Sequence, residues 1–329
     1  DTILRMSGPV ILLRPESLER RLELADEALA VHARARNKES LARAHMHRFL
    51  ALFELGRTAE AGAALDAYAA ALARLRQPWF EWSLLVLQAM LRILDGHLEQ
   101  AEALRARARA LEEASDPDAI ESPALQGFLI AHGTGHFEKA DEEALRRCAS
   151  HYPDQPIWIA VLARLLAGLG RDEEARELFA RCAAVELADD PPLQDRIPTL
   201  VLLAECAHAL GDADRAAVLH DLLVPYAGRT ATMETGWAAW GAVSRALGLL
   251  LHTIGGPPGE VAARLERGMR DDRDRGAVLW FIRGALAYRA LLPEELERSP
   301  GARALVEEAE ARYRELEPSI SATSPSPAP

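Results

Sequence analysis

Leu162-Ala163-Arg164-Leu165-Leu166-Ala167-Gly168-Leu169-Gly170-Arg171-Asp172-Glu173-Glu174-Ala175-Arg176-Glu177-Leu178-Phe179 is the stretch whose reading decides the architecture. An apolar helical pattern runs into Gly170, and a glycine at a helix end takes positive φ without a Cβ clash, so the chain can reverse there. Four polar residues then open a second helix. Ala175, five residues past the glycine, falls in the first turns of that helix, where only a small side chain lets two backbones approach. Leu178 and Phe179 supply its next apolar layer.

The same signature occurs five times, at Gly56 to Ala61, Gly96 to Ala101, Gly135 to Ala140, Gly170 to Ala175 and Gly211 to Ala216. Successive glycines are 40, 39, 35 and 41 residues apart, a period just above the about 34 of the simplest helical-hairpin arrays. Seven residues before the turn, Ala89, Ala163 and Ala204 match small to small, whereas Phe49 and Phe128 in the first and third repeats imply wider crossings. Five helical hairpins are thus expected over 38–226. Residues 1–37 hold one amphipathic helix over 18–36, either an N-terminal cap or the remnant of a preceding repeat. Degenerate hairpins follow over 227–317: a long helix over 235–252 with its partner over 260–270, then a pair over 277–291 and 301–316. The Ser/Pro tail 318–329 cannot bury apolar area and is expected to be disordered.

Composition narrows the class of action. Apolar residues make up 49% of the chain but aromatics only 5%, the balance of packed helices rather than sheets. The formal charge of −12 repels phosphate backbones and anionic membranes unless a basic patch is concentrated somewhere. The densest basic run, Arg105, Arg107 and Arg109, is interleaved with Glu102, Glu112 and Glu113, so no direct nucleic-acid binding is expected. Cys148, Cys182 and Cys206 form no CxxC pair, which fits a reducing, cytoplasmic setting. No apolar stretch approaches the about 18 residues of a membrane span.

The repeat motif, clearest in Leu162-Ala163 and 170–179, resembles the tetratricopeptide family. That resemblance implies an all-α, right-handed α-α superhelix, a TPR-like solenoid of about six to seven hairpins, with first helices lining a concave face. A narrower likeness rests on Leu13-Arg14-Pro15-Glu16, the helix 22–30, Arg76-Gln77-Pro78-Trp79 and Leu223-Val224-Pro225-Tyr226-Ala227-Gly228-Arg229. These look similar to the helical-repeat region of large bacterial ATP-dependent regulators of LuxR-type, SARP-type or cyclase-linked architecture, whose repeats are understood as the sensor or partner-binding arm. The start at Asp1 without an initiator Met suggests a fragment, a processed chain or a trimmed one, so domains upstream are kept in view, although no G-x-x-x-x-G-K-[ST] loop is present to carry ATPase activity.

Chemistry-bearing motifs are sparse. No G-x-S-x-G, H-E-x-x-H or paired C-x-x-C occurs. His45 and His47, like Cys206 and His208, are two apart on a helix and point roughly 200° apart. His136-Phe137-Glu138 mimics a deaminase H-x-E with no P-C-x-x-C after it. Neither a catalytic site, a metal nor a cofactor is expected. Registering the hairpins by their glycines instead places Met46, Leu50, Met90, Arg164, Glu205 and Arg245 on the inner face, with His132, His208 and His252 a turn further along. Two arginines and two methionines there would suit an acidic or amphipathic peptide or a small anionic ligand. Trp237 and Trp240, three apart on the expected helix, would form an exposed aromatic shelf. A free-standing adaptor that captures a peptide or protein is the competing expectation.

Overall fold

Gly56, Gly96, Gly135, Gly170 and Gly211 all adopt positive φ, between 68° and 83°, and each stands where one helix ends and the next begins. At three of them the following residue completes the reversal with a second bond to the carbonyl five residues back: Arg57 N–H to Leu52 O, Arg171 N–H to Leu166 O and Asp212 N–H to Ala207 O, each 2.9 Å. This is the Schellman arrangement that satisfies orphan carbonyls at a helix C-terminus. The next helix starts at once, helped by Asp212, whose carboxylate accepts from Arg215 N–H at 3.0 Å.

The computed structural model describes residues 17–73, 75, 77–115, 120–186 and 195–322, and these are mostly helical. In chain order the elements are α1 (Leu18–Arg34), α2 (Lys38–Glu54), α3 (Thr58–Leu72), α4 (Pro78–Leu94), α5 (Leu98–Ser115), α6 (Glu121–Thr134), α7 (Glu142–His151), α8 (Pro156–Gly168), α9 (Asp172–Glu186), α10 (Arg196–Leu210) and α11 (Ala213–Leu223). Strands β1 (Thr230–Thr232) and β2 (Ala239–Ala242) come next, then α12 (Val243–Thr253), α13 (Pro258–Asp274), α14 (Val278–Leu291), α15 (Pro293–Arg298) and α16 (Pro300–Ala322). Helices pair as α2–α3, α4–α5, α6–α7, α8–α9, α10–α11, α12–α13 and α14–α16, with α1 against α2. Prolines 78, 156 and 258 open α4, α8 and α13 at first-turn positions that need no N–H donor.

The row of helices does not end open. First helices α4, α6, α8, α10, α12 and α14 each touch the next, and α14 returns to touch α4 and α6, while α16 touches α5. At that closing contact the Cβ of Leu279 lies 3.1 Å from where a Cβ on Gly133 would be, so a larger residue at 133 fits only if the Leu279 side chain shifts by a few tenths of an ångström.

The interior is filled by a segment expected to be helical. Residues 235–242 belong to an antiparallel β-hairpin, with Thr230 paired to Ala242 and Thr232 to Ala239, and helix α12 begins only at Val243. The β-branched threonines suit extended backbone, and Gly236 and Gly241 take φ of 71° and 70°, values a continuous helix excludes. Surrounding elements hold the hairpin: Gln126 Nε2 donates to Trp237 O (3.1 Å), Trp280 Nε1 to Ala239 O (3.0 Å), and Ala242 N–H to Asp272 Oδ1 (2.6 Å).

Two segments differ from expectation at their ends. The tail read from 318 is helical as far as Ala322, with Pro318 inside α16 and Ile320 buried; residues 323–329 lie outside the described residues, as does the 13–16 motif. Among the described residues, no helix is long and apolar enough to cross a membrane.

Candidate binding site

Four consecutive first helices each deliver one polar side chain to a common point. His132 comes from the last turn of α6, Arg164 from α8, Glu205 from α10 and Arg245 from α12, and all four are buried. Glu205 is the hub: its Oε1 lies 2.6 Å from Arg245 Nη2, and its Oε2 accepts from Arg164 Nε at 3.0 Å and stands 2.5 Å from His132 Nε2. The arginines are backed by aromatic faces, with the Arg164 guanidinium carbon 4.6 Å from the Phe137 ring centroid and that of Arg245 5.0 Å from Trp280. Arg245 Nη2 also donates to Trp240 O at 3.2 Å, which couples the hub to the β-hairpin.

The protonation states follow from burial and charge. Burial pushes the Glu205 carboxyl up, but His132 and the guanidiniums of Arg245 and Arg164 outweigh it and hold the group well below the usual carboxylate range. Burial drives His132 down to about 4 against the pull of Glu205, and with two guanidiniums already facing one carboxylate the imidazole stays neutral at pH 7. Arg283 on α14 approaches the same region; burial and Arg164 lower it to about 10. Asp272 is raised by burial to about 7, which Arg245 and the Ala242 N–H only partly oppose. Sequence reasoning missed Arg283 and Asp272, because neither keeps the turn register that singled out Arg164 and Glu205.

The open concave face is therefore corrected. Arg164, Glu205 and Arg245 pair with one another in the interior, where the returning α14 and the β-hairpin close the space in front of them. Leu50 and Met90 are buried too, with Leu50 packed against the hairpin turn at Gly236. Met46 is half-buried, and Ser83 Oγ donates to its sulfur at 3.7 Å. His208 and His252 are half-buried side by side, rings 5.6 Å apart, and His208 Nδ1 bonds the Thr253 hydroxyl at 2.9 Å. The aromatic shelf does not form: Trp240 is buried in β2, and half-buried Trp237 meets Trp82 edge-on at 5.9 Å. Among the described residues, no group of three or more His, Cys, Asp or Glu is arranged to hold a metal.

An open cavity lies elsewhere, beside α6. The third repeat breaks the pattern: past Gly135, residues Phe137–Lys139 form a 3-10 turn, Ala140 is extended with ψ 144°, and α7 starts only at Glu142, capped by Asp141. Phe137 is the cause. Its ring turns inward under Arg164 and against Gly168, where an added Cβ would sit 2.4 Å from it, and the chain needs extra residues to resume a helix. The signature alanines of the other four repeats, Ala61, Ala101, Ala175 and Ala216, are buried. Ala140 instead lines a cavity of about 750 Å³ bounded by α5, α6, α7 and Ile320.

Comparison of the chain with protein-family models, curated proteins and solved structures finds no match.

Proposed function

We propose that this chain is a binding module of tetratricopeptide type, a right-handed superhelical array whose last hairpin folds back on its first ones. In this reading it serves as the cytoplasmic sensor or interaction arm of an ATP-dependent bacterial transcriptional or signalling regulator, acts by holding a protein, peptide or small ligand, and catalyses nothing itself. The observation that carries the reading is the recurrence of five positive-φ glycines at the predicted turns. Repeated hairpins of this kind build extended surfaces suited to partners. Hub and β-hairpin give the arm a defined resting shape, and a partner acts by preferring that shape or its opened alternative.

The test is capture from native cells of the protein encoded by the complete reading frame, with and without ATP, followed by identification of bound proteins and of the frame's other modules. The reading expects a nucleotide-binding module in the same frame and a partner retained through this arm. A frame without such a module, in a protein that retains no partner or ligand, would reject it.

A further inference from the structure

Glu205 leaves part of the cluster around it unmatched. Arg164 uses only Nε on the carboxylate, and its two Nη groups bond nothing among the described residues. Arg283, on α14, has neither an ion pair nor a hydrogen bond among them. The charged groups that act on it are Arg164, Glu205 and Arg245, two cations against one carboxylate. The other groups packed around the hub do not supply the missing charge. His132 is neutral, and His208 and His252 are bases. Asp272 answers Arg245 and accepts from Ala242 N–H, Arg275 and Asp271 face each other at 3.9 Å, and Glu138 bonds His136. Even with Asp272 ionised, Arg164, Arg245 and Arg283 outnumber Glu205 and Asp272.

The unused donors lie at one edge of the hub. Arg283 Nη1 is 3.3 Å from where a Cβ on Gly135 would be, and the Arg164 guanidinium carbon is 4.6 Å from the ring centroid of Phe137, on the same turn. Both guanidiniums act on His132. Arg283 is only half-buried, so this edge keeps a path to solvent that Glu205 and Arg245 lack. A cation that served only the C-terminal dipole of α6 would be bonded to one of that helix's last carbonyls, and none accepts from Arg283 among the described residues. Leaving a guanidinium desolvated without a counter-charge is costly. Two forks of N–H donors at one place match the several oxygens of a phosphate better than the two of a carboxylate.

We infer that Arg164 and Arg283 form a site for the phosphate group of a small metabolite, which enters beside the Gly135 turn, takes its counter-charge from Arg283 and is oriented by the Nη groups of Arg164. The returning α14 and the β-hairpin close the space behind the site, which restricts it to small ligands. The assignment rests on the binding reading above and narrows it to one ligand class.

Isothermal titration calorimetry of the full chain with inorganic phosphate, at constant ionic strength, should show saturable binding. Glycerol phosphate should compete for the same site and acetate should not. Arg283→Gln should weaken binding at least about tenfold, the scale of one charge-assisted hydrogen bond. It should not lower the unfolding temperature of the ligand-free chain, since it removes an unmatched charge. Arg176→Gln, at an exposed position on α9, should leave binding unchanged and so exclude a diffuse effect of charge. Arg283→Lys keeps the test valid if Arg283→Gln does not fold: it retains the charge but loses the fork, and should bind phosphate more weakly than the parent chain. No saturable binding, acetate bound as tightly as phosphate, or binding untouched by the Arg283 variants would overturn the proposal. So would a ligand-free chain destabilised by Arg283→Gln, or binding of a phosphoserine peptide with none of the small anions. Because the titration uses this chain alone, its failure is separate from a failure of the complete protein to retain a partner.

Discussion

The third and fourth hairpins carry the same signature, Gly135 to Ala140 and Gly170 to Ala175, yet fold differently. In the fourth, α9 starts two residues past the glycine and Ala175 is sealed against its neighbours. In the third, an aromatic two residues past the glycine is drawn into the interior, α7 is delayed to Glu142, and the alanine faces a cavity. A turn motif fixes where the chain reverses, while the first apolar side chain after it decides what the second helix covers. The two hairpins nonetheless meet at one carboxylate, since His132 comes from α6, Arg164 from α8, and both reach Glu205.

Removing that carboxylate should break the comparison most severely. Glu205→Ala leaves Arg164 and Arg245 buried without a counter-charge, a change that costs about 3–5 kcal/mol, and urea denaturation should show it as a large drop in midpoint. Glu174→Ala, in the exposed network of Arg146 and Arg171, should barely move the midpoint.

Acidity offers the next test. Asp272, Glu186 and Glu234 are raised to about 7, 7 and 8, chiefly by burial. A carboxyl raised in the folded state gives stability that is complete below its unfolded value and lost as pH climbs to its folded one. Each such group costs about 1.4 kcal/mol per pH unit over that window. His132, lowered to about 4, works the other way, but its contribution is complete by about pH 6.5. Thermal unfolding should therefore occur at a lower temperature at pH 8.5 than at pH 6.5; a constant or rising midpoint would contradict the burial of Asp272 and Glu186.

A smaller effect separates the two hairpins directly. Ala175→Leu forces extra volume into a close helix crossing and should cost about 1–3 kcal/mol. Ala140→Leu, beside the cavity, should cost less than about 0.5 kcal/mol, as at other sites outside packed contacts. Equal losses at the two positions would mean that the third hairpin closes as the fourth does.

What the sequence disclosed was local. The five turn glycines were legible because positive φ is a demand of the backbone at a single residue, and the alternation of apolar positions placed most helices. The β-hairpin was obscured by the Ala-rich run from Ala238 through Ala246, although Thr230, Thr232, Gly236 and Gly241 carried the contrary signal. The register of the turn glycines grouped Arg164, Glu205 and Arg245, which the structure brings together in the interior. That they are enclosed depends on α14 returning to α6, a contact between segments some 146 residues apart, as between Gly133 and Leu279, and no short-range pattern encodes it.

That return is the central claim, and a paired substitution measures it. In a Gly133→Cys/Leu279→Cys variant the two Cβ atoms start 3.1 Å apart, within a small shift of the about 3.5–4.5 Å of a disulfide. The native cysteines 148, 182 and 206 are buried and free. Mild oxidation followed by peptide mapping should recover a 133–279 cross-link in high yield from folded protein. Recovery of both thiols free, from a variant with unchanged circular dichroism, would mean that the helical row stays open and the inner charges face solvent.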